Sequence, residues 1–122
     1  MRAAMGDTHP IRCYAEFWPY YLREHAKPAT RALHIAGTGL AALFLLTAAE
    51  ASDMRLLLVA ILAGYGPAWI AHFFIEKNRP ATFRYPVWSL VSDIRMTATW
   101  IAGGLGRELA RAGVPSRHPP GG

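Results

Sequence analysis

Two apolar runs without a formal charge dominate the pattern of this chain. Ala32–Ala49 (ALHIAGTGLAALFLLTAA) lies between Arg31 and Glu50, and Leu56–Ile75 (LLLVAILAGYGPAWIAHFFI) lies between Arg55 and Glu76. A helix needs about 20 mostly apolar residues to cross a bilayer. Both runs suit that length, the second more fully. The EASDMR connection has room only for a turn, so the pattern predicts a helical hairpin. Further on, Val87, Leu90, Val91, Ile94, Ala98, Ile101 and Leu105 recur at three- and four-residue steps, which marks one face of a helix over about 86–112. Asp93 and Arg95 interrupt that face, and Gly103, Gly104 and Gly106 weaken its end. It reads as an amphipathic helix on the cytoplasmic surface rather than a third span. Upstream, CYAEFWPYYLRE (Cys13–Glu24) is dense in aromatics, as in a helix lying at a membrane interface. A core-packing helix is the alternative there. Pro28 separates this segment from the first run.

The expected architecture is therefore all-α: a membrane helical hairpin of two spanning helices with flanking interfacial amphipathic helices. One helical membrane domain would occupy residues 13–112. A polar leader, 1–12, precedes it and has no apolar segment of the secretory-signal kind. A Pro/Gly-rich tail, 113–122, follows and reads as disordered.

Composition agrees. The 122 residues are 52% hydrophobic and only 17% charged, which excludes disorder as the main state and leaves little polar chain to wrap two apolar helices in water. A soluble helical bundle is the weaker alternative. The formal net charge of +5 does not here indicate nucleic acid, because the cations flank apolar runs. Arg2, Arg12, Arg23, Lys27 and Arg31 precede the first run, and Lys77, Arg79, Arg84 and Arg95 follow the second, whereas the turn holds Glu50, Asp53 and Arg55. The positive-inside rule then puts both termini in the cytoplasm. A single cysteine, Cys13, excludes an internal disulfide framework and any multi-cysteine metal site.

Histidines inside apolar spans are costly to desolvate and point to function. His34 lies three residues after Arg31, and His72 lies five before Lys77, so an antiparallel hairpin brings them to one depth. His25 sits just upstream, and the break at Pro28 lets it fold back towards the spans. Glu76 follows His72 by four residues and shares its helical face. Three histidines and a carboxylate suit a divalent transition metal, with iron, zinc and manganese all chemically allowed. The alternatives are a His34 that bonds a carbonyl of a neighbouring helix and a His72–Glu76 pair at the interface. Asp93 is open between ligand, outer partner of a ligand and partner of Arg95. His9 and His118 are given no role. In KNRPATFRYP (Lys77–Pro86), the cations either meet lipid headgroups or, at Lys77, Arg79 or Arg84, hold an anionic substrate carboxylate. Gly37, Gly39, Gly64 and Gly66 read as close contacts between the spans, and Pro67 as a kink.

YYLREHAKPATRALHIAGT (Tyr20–Thr38), GYGPAWIAHFFIEKNRPATFRYP (Gly64–Pro86) and SLVSDIRM (Ser89–Met96) resemble a family of small membrane proteins whose characterised fungal member is a 2-hydroxy fatty acid dioxygenase. The likeness covers roughly residues 14–105. Ala71 stands where the family signature has glycine, Thr30 where it often has asparagine, and the eukaryotic enzymes carry extra membrane helices between the two signatures.

The resemblance implies an Fe(II)-dependent reaction of O₂ with a 2-hydroxy fatty acid, giving a fatty acid one carbon shorter. It implies His25, His34 and His72 as metal ligands and Glu76 as the catalytic carboxylate. Lys77 or Arg79 would neutralise the substrate carboxylate, and the acyl chain would lie along the apolar hairpin. Two spans hardly enclose a pocket alone, so a homo-oligomer packed through Gly37–Ala41 is one source of further walls. The competing class is a non-enzymatic membrane hairpin that binds lipid or a partner.

Overall fold

The computed structural model describes residues 10–114, and among them the regular structure is entirely helical. Helix α1 spans Tyr14–Arg23, α2 Pro28–Ala51 and α3 Arg55–Ile70, the last running on as a π-helix over Ala71–Glu76. A single 3₁₀ turn, Ala81–Phe83, leads to α4 (Pro86–Ala102) and α5 (Leu105–Arg111). The all-α expectation holds. Pro28–Ala51 and Arg55–Glu76 are both long and apolar enough to cross a membrane. The leader up to residue 9, with His9, and the tail from 115, with His118, lie outside the described residues.

Local chemistry explains the boundaries. Pro28 and Pro86 each open a helix, where the missing N–H costs nothing and the fixed φ already suits the helix. The hairpin turn closes with Ser52 in the left-handed region (φ 52°). Asp53 Oδ1 accepts the Arg55 backbone N–H and Nε–H, each at 3.0 Å, and the guanidinium holds the Asp53 carboxyl below the usual carboxylate range. α4 ends on Gly103 at φ 85°, a left-handed stop that glycine adopts without strain.

The spans pack through small residues. A Cβ on Gly37 would stand 2.9 Å from the Ala63 carbonyl oxygen and 3.2 Å from that of Gly64, so only glycine admits this approach. Gly64 meets the Ala41 methyl, where an added Cβ would come within 3.3 Å. Gly39 and Gly66 have open space around them, so only one glycine of each expected pair makes the contact. The Gly37–Ala41 face is used inside the hairpin.

A second core lies beside the hairpin. Phe17, Trp18, Tyr21 and Leu22, one face of α1, are buried with Met96, Leu105 and Val114, and Tyr85 and Trp88 pack against them. The aromatic density of α1 thus serves packing within the chain. Val114, at the start of the expected tail, is buried in this core and its N–H bonds the Leu109 carbonyl.

The face of α4 that carries Val87, Leu90, Val91, Ile94 and Ile101 is largely exposed, with Val87 70% and Ile101 73% exposed and Leu90 at the edge towards the hairpin. Ser89, Ser92 and Met96 point inward. Apolar residues outside and hydroxyls inside is the reverse of a water-soluble helix.

Candidate metal centre

Three elements bring the predicted histidines together. His25 follows α1, in the short connection that Pro28 ends. His34 stands two turns into α2, and His72 stands in the π-helix at the end of α3. One ring nitrogen from each lies within 4.8 Å of the others, and all three side chains are buried. The His25 ring centroid is 4.5 Å from both His34 and His72. The matched depth counted along the sequence is therefore realised. The π-helix adds a residue to the turn that carries His72, a distortion frequent at functional sites.

Outer partners set the tautomer of each neutral ring. His25 Nδ1–H donates to the Tyr21 carbonyl at 2.7 Å, which can only accept. His72 Nδ1–H donates to Asn78 Oδ1 at 2.7 Å, and the amide is oriented because its Nδ2 donates to the Glu24 carbonyl and carboxylate. His34 Nε2–H donates to Asp93 Oδ1 at 2.6 Å, and the same oxygen accepts the Tyr21 hydroxyl at 2.6 Å.

Each ring is thereby left with one lone pair. Those of His25 Nε2 and His72 Nε2 face one another at 3.1 Å, and His34 Nδ1 is buried without a partner. Two facing acceptors and an orphaned buried nitrogen form an arrangement that a cation would satisfy, and the outer carbonyl, amide and carboxylate are the partners that metal-ligating histidines use. Burial, with His34 and His72 alongside, holds the His25 imidazole well below the ordinary histidine range, so it stays neutral and able to donate its lone pair. Burial, with the Asp93 carboxylate beside it, holds the Tyr21 phenol well above its usual value, so it remains the donor.

A cavity of about 10 Å³, room for one water-sized atom, opens at this cluster. His25, His34, His72, Tyr65, Ser89 and Asp93 contribute to its wall. The Ser89 hydroxyl is buried and without a partner.

The other predicted residues lie around the cluster. Glu76 Oε2 accepts the Lys27 backbone N–H at 2.6 Å, and Lys27 Nζ–H donates to the Ile75 carbonyl, so this carboxylate ties the start of α2 to the π-helix. Lys77, in the left-handed region at φ 63°, and Arg79 are exposed and do not line the cavity. Arg31 holds the His25 connection, its guanidinium donating to the His25 and Ala26 carbonyls. Asp93 is the partner of His34, whereas Arg95 stacks on Trp18 at 4.1 Å. Sequence reasoning missed Tyr21, Asn78 and Ser89. Tyr21 is one helical turn before His25, a signal that was there to use. Asn78 reaches His72 only because the π-helix and the left-handed Lys77 turn the chain back.

A helical hairpin with a buried group of three imidazoles, each oriented by an outer acceptor, is a helical protein with a site that could hold a metal ion. The profile of the family described as 2-hydroxy-palmitic acid dioxygenase Mpo1-like matches residues 11–105, and the chain belongs to that family. Neither the curated proteins nor the solved structures yield a match to this chain.

Proposed function

We propose that this chain is an Fe(II)-dependent dioxygenase of 2-hydroxy fatty acids, held in a membrane with both termini on the cytoplasmic side. One observation carries the reading: the three buried imidazoles share a small cavity, and each keeps an unprotonated nitrogen because its other nitrogen is engaged outside. The family supplies the chemistry class, through its printed description.

A ferrous ion held by His25, His34 and His72 would supply redox chemistry with O₂ and a Lewis-acid hold on the substrate's hydroxyl and carboxylate. The reaction balances with O₂ as the only oxidant: R–CH(OH)–COOH and O₂ give R–COOH, CO₂ and H₂O. The C1–C2 bond breaks, and four electrons pass from substrate to O₂, so no separate reductant is required. Around this centre the Ser89 hydroxyl is free to bond the substrate head. Tyr65 and Trp69 line the cavity beside the histidines. Lys77 and Arg79 place positive charge on the approach of the carboxylate. Glu76 acts by position, holding Lys27 and so the His25 connection against the π-helix. The membrane setting rests on the two apolar helices and on the cations that flank them.

The test is turnover. Protein purified in mild detergent without oxygen and loaded with Fe(II) should convert 2-hydroxypalmitic acid and O₂ to the acid one carbon shorter, with O₂ consumed in equal amount. His25→Ala, His34→Ala and His72→Ala should each abolish it. Turnover that survives in these variants, or a wild type that binds no metal, would contradict the reading and favour a non-enzymatic lipid-binding hairpin.

A further inference from the structure

We infer that the alkyl chain of the substrate lies in one particular groove, between the upper part of the hairpin and α4, and that Leu45 and Ile61 at its far end limit the chain length accepted. This rests on the 2-hydroxy fatty acid reading of the histidine centre. The groove has a volume of about 190 Å³, and its walls include Ala41 and Leu45 of α2, Ala60, Ile61 and Gly64 of α3, and Leu90 of α4.

Continuity with the metal centre singles it out. Tyr65 and Asp93 line both the groove and the histidine cavity. On α3 the wall residues run Ala60, Ile61, Gly64 and Tyr65 in the groove, then Tyr65, Ala68, Trp69 and His72 in the cavity. These steps of three and four residues trace one face of the helix. At 1.5 Å per residue that face extends about 18 Å from Ala60 to His72.

Ala41, Ala60 and Gly64, at the seam of the two spans, put only small side chains into the wall of this groove. A larger apolar groove, about 640 Å³, lies on the other side of α2 against Ile35, Trp100, Ile101 and Leu105. It shares no wall residue with the histidine cavity, so a head group at the histidines cannot feed its tail there directly.

Leu45 and Ile61 each stand eleven residues from the histidine of their own helix, about 16 Å along it, and both are half-exposed, so a larger side chain fits without disturbing the core. Leu45→Trp and Ile61→Trp should shift the preferred substrate in a C8 to C18 series of 2-hydroxy acids to shorter chains, with at least a tenfold loss of turnover on the longest and little change on the shortest. Ile101→Trp, in the other groove, should leave the profile as in wild type. An unchanged profile in both Leu45→Trp and Ile61→Trp, or a shift produced by Ile101→Trp, overturns the assignment.

Labelling separates the groove from the chemistry. A 2-hydroxy acid with a diazirine near its methyl end should, on illumination, mark peptides containing Ala41–Leu45 or Ala60–Gly64. Marks there without any turnover would support the groove and refute the dioxygenase. Turnover with the marks instead on 100–109, or spread evenly over the exposed apolar faces, would refute the groove alone.

Discussion

His25 Nε2 and His72 Nε2 stand 3.1 Å apart, and each ring already donates its only proton elsewhere, to the Tyr21 carbonyl and to Asn78. Facing lone pairs repel, and in a buried setting neither can turn to water. A divalent cation between the rings reverses the sign of the interaction. Metal loading should therefore raise the unfolding temperature in detergent, because a ligand at 100 times its Kd stabilises by about 2.7 kcal/mol. His34→Ala or His72→Ala should lose the rise, which differential scanning fluorimetry with Fe(II) or Co(II) would read.

Asp93 and Asn78 should matter for metal affinity although neither is among the three imidazoles. Asp93→Asn weakens the hold on the His34 proton, and Asn78→Leu frees the His72 ring to rotate. Each should lower affinity about 10- to 100-fold, the usual effect of losing an outer partner. Competition against a chelator of known affinity measures it. Tyr21→Phe, which leaves Asp93 in place on His34, should cost less than Asp93→Asn.

Gly37→Ala should destabilise the hairpin. The new methyl would meet backbone oxygens of Ala63 and Gly64 at 2.9 and 3.2 Å, and backbone cannot swing aside as a long side chain does. Overpacking of this kind costs about 1–3 kcal/mol. Gly39→Ala, in open space, should lie within about 0.5 kcal/mol of wild type. Thermal unfolding of the two variants side by side decides the point.

In the proposed membrane setting the exposed leucines of the hairpin face lipid. Leu43 is 57% and Leu62 64% exposed near the middle of their helices. The protein should remain in membranes after an alkaline carbonate wash. Leu43→Lys should impair insertion, since a lysine near the centre of a span costs about 2.5–3.5 kcal/mol.

Much of this was legible in the sequence, for definite reasons. Counting residues inward from Arg31 and Lys77 put His34 and His72 level, because a short turn forces the two helices antiparallel. Pro28 gave the break that lets His25 reach them. The π-helix was not legible, since an i→i+5 turn leaves no periodicity in six residues, and with it went the reach of Asn78 to His72. The apolar stripe of α4 was visible, and so were Asp93 and Arg95 as interruptions. Their partners were not, because His34 and Trp18 are supplied by helices distant in sequence. The aromatics of α1 suited an interface and a core equally well. Composition cannot choose between the two, and contact with Met96 and Trp88 does.

The most direct test of the centre is its metal stoichiometry. Wild type and His72→Ala would be purified without oxygen, incubated with Fe(II), desalted and analysed for iron, zinc and manganese. Stoichiometric iron in wild type, lost in His72→Ala while the variant stays folded and in the membrane fraction, is the predicted result. No retained metal in wild type, or equal metal in the variant, would contradict a tris-histidine iron site.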